Sequence, residues 1–80
     1  MAVILIVDDS PTELHLFKGM LEKGGFETLV ADSGEEGIRQ AGTSRPDCIL
    51  MDVVMPGMNG FQATRKLTQD PRTSDIPVII

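Results

Sequence analysis

Residues 2–9, Ala2-Val3-Ile4-Leu5-Ile6-Val7-Asp8-Asp9, decide the fold: six apolar residues run without interruption and end in two adjacent acids. A continuous apolar run, in place of the alternation of a half-solvated strand, is what a strand buried on both faces of a parallel sheet requires. The run has no basic flank and is too short for a signal peptide or a membrane span, so it reads as a first strand, Ala2 to Val7. Directly after it, Ser10-Pro11-Thr12-Glu13 offers an N-cap serine, proline at the first helical position and a glutamate three residues after the cap. Together these satisfy orphan N–H groups and suit the helix dipole. Leu14, Phe17 and Leu21 then share one helical face, widened by Leu16 and Met20, and Gly24-Gly25 stops the helix near Lys23.

The same grammar repeats downstream. Phe26 to Ala31 is a second strand, and Ser33 with Glu36 opens a short second helix carrying Ile38 and Ala41. After a loop from Gly42 to Pro46, Asp47 to Met51 forms a third strand closed by Asp52, followed by the breaker-rich Met55-Pro56-Gly57-Met58-Asn59-Gly60. Phe61 to Leu67 returns to helical spacing, Asp70 to Asp75 is a polar linker, and Pro77 to Ile80 is a fourth strand. This alternation predicts an α/β fold with a doubly wound parallel sheet in one domain, residues 1–80. Four strands and three helices are accounted for. The chain stops inside an apolar run without the helix that should follow, so it reads as truncated.

Composition excludes several function classes. The 80 residues are 41% hydrophobic and 24% charged, ordinary for a folded soluble chain and too apolar for a disordered one. Twelve Asp and Glu against seven Lys and Arg give a net charge of −5, which removes global attraction to a phosphate backbone and argues against direct nucleic-acid binding. One cysteine, Cys48, and one histidine, His15, make neither an internal disulfide nor a structural zinc set, and the chain reads as cytoplasmic. Gly34 and Gly37 lack the context of a dinucleotide fingerprint and read as packing glycines; Cys48 and Met51 read as core, His15 as a partly exposed helix residue.

In open α/β sheets, ligands bind outside the carboxyl ends of the strands where the strand order reverses. Asp8 and Asp9 follow the first strand and Asp52 closes the third, so all three carboxylates meet if those strands are neighbours. Two carboxylates about 4 Å apart repel by roughly 4 kcal/mol at an effective dielectric of 20, a cost that a cation or proton must offset. Oxygen donors of this kind suit Mg²⁺, which accepts one or two carboxylates with water and phosphate oxygens and leaves Asp52 available as a nucleophile. Met55 and Met58 flank this cluster as candidate gating or partner-contact residues.

With its apolar strand ending in Asp8-Asp9 and its Asp52-Val53-Val54-Met55-Pro56-Gly57-Met58-Asn59-Gly60 segment, the chain resembles the receiver domains of two-component response regulators. The runs Ile4 to Glu13 and Gly60 to Arg65 look most like small single-domain receivers of the type IV pilus, or twitching-motility, chemotaxis-like system. The resemblance implies a flavodoxin-like fold with strand order 2-1-3-4-5, of which these residues are the N-terminal two-thirds, the last strand and last two helices being absent. It implies that Asp52 is the phosphoacceptor, that Asp9 and Asp52 ligate Mg²⁺ with the backbone carbonyl of Val54, and that Asp8 acts through a metal-bound water. The phosphodonor is then a histidine kinase, and the chain is a signalling module, not an enzyme.

The family's switch Ser or Thr lies just past the fourth strand and its phosphate-binding Lys follows the fifth. Neither position exists here, and Thr73 and Lys66 lie too near the third helix to replace them. An apolar fourth-strand edge left open is an association hazard. Two other readings stand beside the leading one. One is a non-switching receiver fragment acting in interaction or self-association; the other is a metal-dependent phosphohydrolase with an Asp nucleophile, whose usual signature separates by one residue the acids that are adjacent here. A longer regulator with an output domain is also compatible with these residues.

Overall fold

The computed structural model describes residues 1–80 as a four-stranded sheet with three helices. The elements are β1 (Val3–Val7), α1 (Pro11–Lys23), β2 (Glu27–Ala31), α2 (Gly34–Ser44), β3 (Cys48–Met51), α3 (Gly60–Gln69) and β4 (Val78–Ile79). All pairings are parallel and the spatial order is β2-β1-β3-β4, so the doubly wound sheet expected from β1 is present. β1 is central, which explains its unbroken apolar run: Ile4 to Val7 are all buried.

Side chains on the two faces of the sheet meet different cover. Leu5 and Val7 of β1 join Ile49 and Met51 of β3 in a core closed by Ala41 of α2 and by Ala63 and Leu67 of α3. α2 approaches β1 closely through Gly37, where an added Cβ would stand 2.8 Å from a methyl of Val7. α1 packs on β1 and β2 but contributes no buried residue. Leu16, Phe17 and Met20 are exposed, which corrects the expectation that Leu16 and Met20 widen a buried face. The periodicity was correctly helical, but a single helix over this side of the sheet has nothing against its flanks.

Local chemistry shifts several boundaries. α2 runs on to Ser44 through the expected Gly42–Pro46 loop and ends at Arg45, a non-glycine residue in the left-handed region (φ 46°). The guanidinium of Arg45 bonds the Arg72 carbonyl and pairs with Asp75, and those long-range partners hold a conformation that local sequence disfavours. Ser10 and Ser33 cap α1 and α2 by accepting from the backbone N–H groups of Glu13 and Glu36. The reciprocal half of the expected boxes is absent: Glu36 turns to Arg39 and Gln40, and the N–H of Ser10 donates to Asp8 Oδ1 at 2.9 Å. The complete capping box belongs to α3, between Asn59 and Gln62, which moves that helix start back to Gly60. Met55 is buried in the core, so it is a packing residue and not a gate; Met58 packs against the same core. Cys48 is half-buried and His15 exposed.

Candidate functional site

The parallel register of β1 and β3 builds the site. Val7 pairs with Met51, and the N–H of Asp52 donates to the Val7 carbonyl at 2.9 Å, so Asp8 and Asp52 leave adjacent strands at the same level. On the other side of β1, the N–H of Asp8 donates to Ala31 of β2 at 3.1 Å. The cluster therefore sits at the carboxyl ends of the strands, beside the point where the order reverses. Carboxylate oxygens of Asp8, Asp9 and Asp52 all lie within 4.8 Å of one another. Asp8 is buried, Asp52 half-buried and Asp9 exposed, a gradient from sheet floor to open rim.

No Lys or Arg forms an ion pair with any of the three; the four ion pairs of the chain lie elsewhere. Partial burial pushes the Asp52 carboxyl above the ordinary carboxylate range, and the charges of Asp8 and Asp9 add to the rise. Hydrogen bonds from the backbone of Val53 and Val54 act in the opposite direction. Glu13, in the first turn of α1, is a fourth carboxylate of this cleft. Hydrogen bonding to Asp8 raises its pKa, reinforced by the charges of Asp8, Asp52 and Asp9. Its spacing after Ser10 marked it only as a capping residue, and nothing local indicated that Asp8 would accept from the Ser10 N–H in its place and leave Glu13 facing the acids.

The loop after Asp52 is held by α3. The N–H of Gly60 donates to the Val53 carbonyl at 2.9 Å, and Gly60 approaches the Asp52 carbonyl so closely that an added Cβ would stand 2.2 Å from its oxygen. Val54, two residues after Asp52, is 81% exposed. Thr73 is not part of this chemistry: it is buried and donates its hydroxyl to the Leu67 carbonyl at 2.7 Å, while Lys66 is on the exposed face of α3. An apolar groove lined by Ile6, Phe17, Leu50, Ile79 and Ile80 adjoins the acids.

The model of the response regulator receiver domain matches residues 4–80. The chain belongs to that family. It is 60% identical to protein PilH of Pseudomonas aeruginosa over all 80 residues, and 42% identical to response regulator PleD of Caulobacter vibrioides over 79. The chain spans 66% of the length of PilH and 17% of PleD. A receiver N-terminal domain from Methanoculleus marisnigri superposes with a TM-score of 0.95 at 41% identity, covering 98% of this chain and 63% of that one. The receiver domain of a sensor histidine kinase from Pseudomonas aeruginosa, solved with a magnesium ion coordinated in its active-site cleft, superposes at 0.91 and 30% identity, covering 96% and 63%. This receiver thus has the flavodoxin-like architecture of its relatives, shorter than the full fold. Its three carboxylates, hard oxygen donors gathered without a neutralising side chain, fit magnesium. No helix is long and apolar enough to cross a membrane.

Proposed function

We propose that this receiver accepts a phosphoryl group on Asp52 from a histidine kinase, with Mg²⁺ bound by the acidic cluster. The observation that carries the reading is the convergence of Asp8, Asp9 and Asp52 at the strand ends with no cation paired to them. Asp9 and Asp52 would hold the ion with the backbone carbonyl of Val54, and Asp8 would hold a water on it. When bound, Mg²⁺ supplies positive charge that offsets the carboxylate repulsion and the charge on the phosphoryl oxygens.

The chain's own contribution is placement. Asp52 presents a carboxylate oxygen that attacks phosphorus; an O–P bond forms to Asp52, and the donor's P–N bond breaks with its electron pair leaving on the imidazole. Backbone hydrogen bonds from Val53 and Val54 favour the ionised, nucleophilic form of Asp52 against the burial that opposes it. Asp8 is held by the N–H of Ser10, and the Asp52 carbonyl by its seat against Gly60, so the acids and the backbone that carries them are positioned before the donor arrives. Residues 1–80 then make up the N-terminal two-thirds of the receiver, in line with the 66% of PilH that they span.

Intact mass and peptide mapping after incubation with acetyl phosphate test this reading. The expected result is one phosphoryl group on Asp52, formed only with Mg²⁺, absent from Asp52→Asn and losing its metal dependence in Asp9→Ala. Full labelling of Asp52→Asn refutes the assignment. A second role rests on the β4 edge, where Ile79 and Ile80 are more than half exposed: self-association through that edge, read as a concentration-dependent molar mass in solution.

A further inference from the structure

Two of the three cations of this chain that lack an ion-pair partner are adjacent on one helix. Four of the seven Lys and Arg residues are ion-paired: Lys18 with Glu22, Arg39 with Glu36, Arg45 with Asp75 and Arg72 with Asp70. Of the remaining three, Arg65 and Lys66 are adjacent on α3, and Lys23 stands alone at the end of α1. α3 contains no acidic residue in its ten positions, and the one carboxylate at i,i+4 spacing, Asp70 at the C-cap four residues after Lys66, is paired with Arg72 instead.

These two cations line a polar groove with Gln62 and Gln69 on α3 and with Gly57 and Met58 of the loop that follows Asp52. Gln62, Arg65, Lys66 and Gln69 recur at the three- and four-residue spacing of one exposed helix face. Next to that face Phe61, one turn before Arg65, is 58% exposed. Arg65 and Met58 line the groove and Phe61 stands exposed on the same helix beside it; these are residue types enriched at protein interfaces, and lysine or glutamine alone would not suggest that.

We propose that the α3 groove is a docking surface for an acidic segment of a protein partner, with Arg65 and Lys66 as its charge-reading residues and Phe61 and Met58 as its apolar contacts. Charge complementarity selects that occupant. The chain as a whole carries −5, so an acidic segment is repelled from most of its surface and admitted where two cations stand without carboxylates. The amide side chains of Gln62 and Gln69 flank the cations and can donate to carboxylates or to peptide carbonyls. The groove begins in the loop that also follows the phosphoacceptor, but the proposal needs no phosphoryl chemistry. It is therefore tested on unphosphorylated protein and stands or falls separately from the role of Asp52.

The test is fluorescence anisotropy of the intact protein with a labelled peptide rich in Asp and Glu around a central Leu. Saturable binding that weakens with salt is expected, about tenfold or more weaker in the Arg65→Glu/Lys66→Glu double variant and unchanged in Lys23→Glu, which makes the same kind of charge change elsewhere. Phe61→Ala should weaken binding without altering its salt dependence. Circular dichroism establishes that each variant is folded, and the milder pair Arg65→Gln/Lys66→Gln replaces the double variant if it is not. The proposal is overturned by absence of saturable binding to the parent protein, or by equal weakening in Lys23→Glu. Tighter binding of a single-stranded oligonucleotide through the same two residues would overturn it too.

Discussion

Replacing Gly60 by alanine tests whether α3 positions Asp52. A Cβ built at Gly60 stands 2.2 Å from the Asp52 carbonyl oxygen and 2.9 Å from both the Asp52 carbonyl carbon and the Val53 Cα. Ordinary van der Waals contact begins near 3.4 Å, so the oxygen and the helix must separate by more than 1 Å. The neighbours that would have to move are backbone, not the free end of a side chain, and the Gly60 N–H bond to Val53 ties them to the helix. Overpacking of this kind costs about 1–3 kcal/mol, offset by up to about 1 kcal/mol from the better helix propensity of alanine. A displacement of about 1 Å in a reacting group slows a positioned reaction roughly 100-fold. Gly60→Ala should therefore lower the urea midpoint and slow acetyl phosphate labelling of Asp52 by one to two orders of magnitude under conditions where circular dichroism shows folded protein. Labelling within about twofold of the parent rate, with an unchanged midpoint, would refute the view that this contact sets the site.

Gly19 is the matched contrast, because it lies inside α1 with nothing within 4 Å of an added Cβ; Gly19→Ala should stabilise the protein by about 0.5–1 kcal/mol in urea unfolding and leave labelling unchanged. Leu5→Ala, at a fully buried site between α2, α3 and the sheet, should cost about 2–5 kcal/mol in the same assay. Asp52→Asn should raise Tm in metal-free buffer at neutral pH. A carboxyl whose folded pKa is raised destabilises the fold while ionised, so the advantage should shrink as pH falls through that raised value toward the ordinary 3.8 and vanish below it. An advantage that grows on acidification would show that the sign is wrong. Mg²⁺ should raise the Tm of the parent protein and do so much less for Asp52→Asn or Asp9→Ala, read by thermal melts with and without the metal.

The element order, the parallel class of sheet and the three acids of the site were legible in the chain because each rests on local information. A short, unbroken, β-branched apolar run in Ala2 to Val7, closed at once by two acids, suits a strand buried on both faces, and cap residues at Ser10 and Ser33 mark helix starts within one turn. Boundaries failed where a distant partner overrode local preference. Nothing near Arg45 announces a left-handed cap, which is held by Arg72 and Asp75, and the exposure of Leu16 and Met20 depends on what else covers that side of the sheet.

For the site, the sequence by itself determined which groups are present: two adjacent carboxylates after one strand, a third after another, and a glycine-rich loop behind it. Only the tertiary structure decided that they form one cluster, because the pairing of Val7 with Met51 is a register between segments more than forty residues apart. The same is true of Glu13, which lines the cleft while Asp8 takes the Ser10 N–H, and of the two α3 cations, whose isolation is visible only when every other cation but Lys23 has found its carboxylate. Residue types and helical or strand spacing are properties of neighbours along the chain; charge balance, desolvation and close approach such as that of Gly60 to Asp52 are properties of neighbours in space.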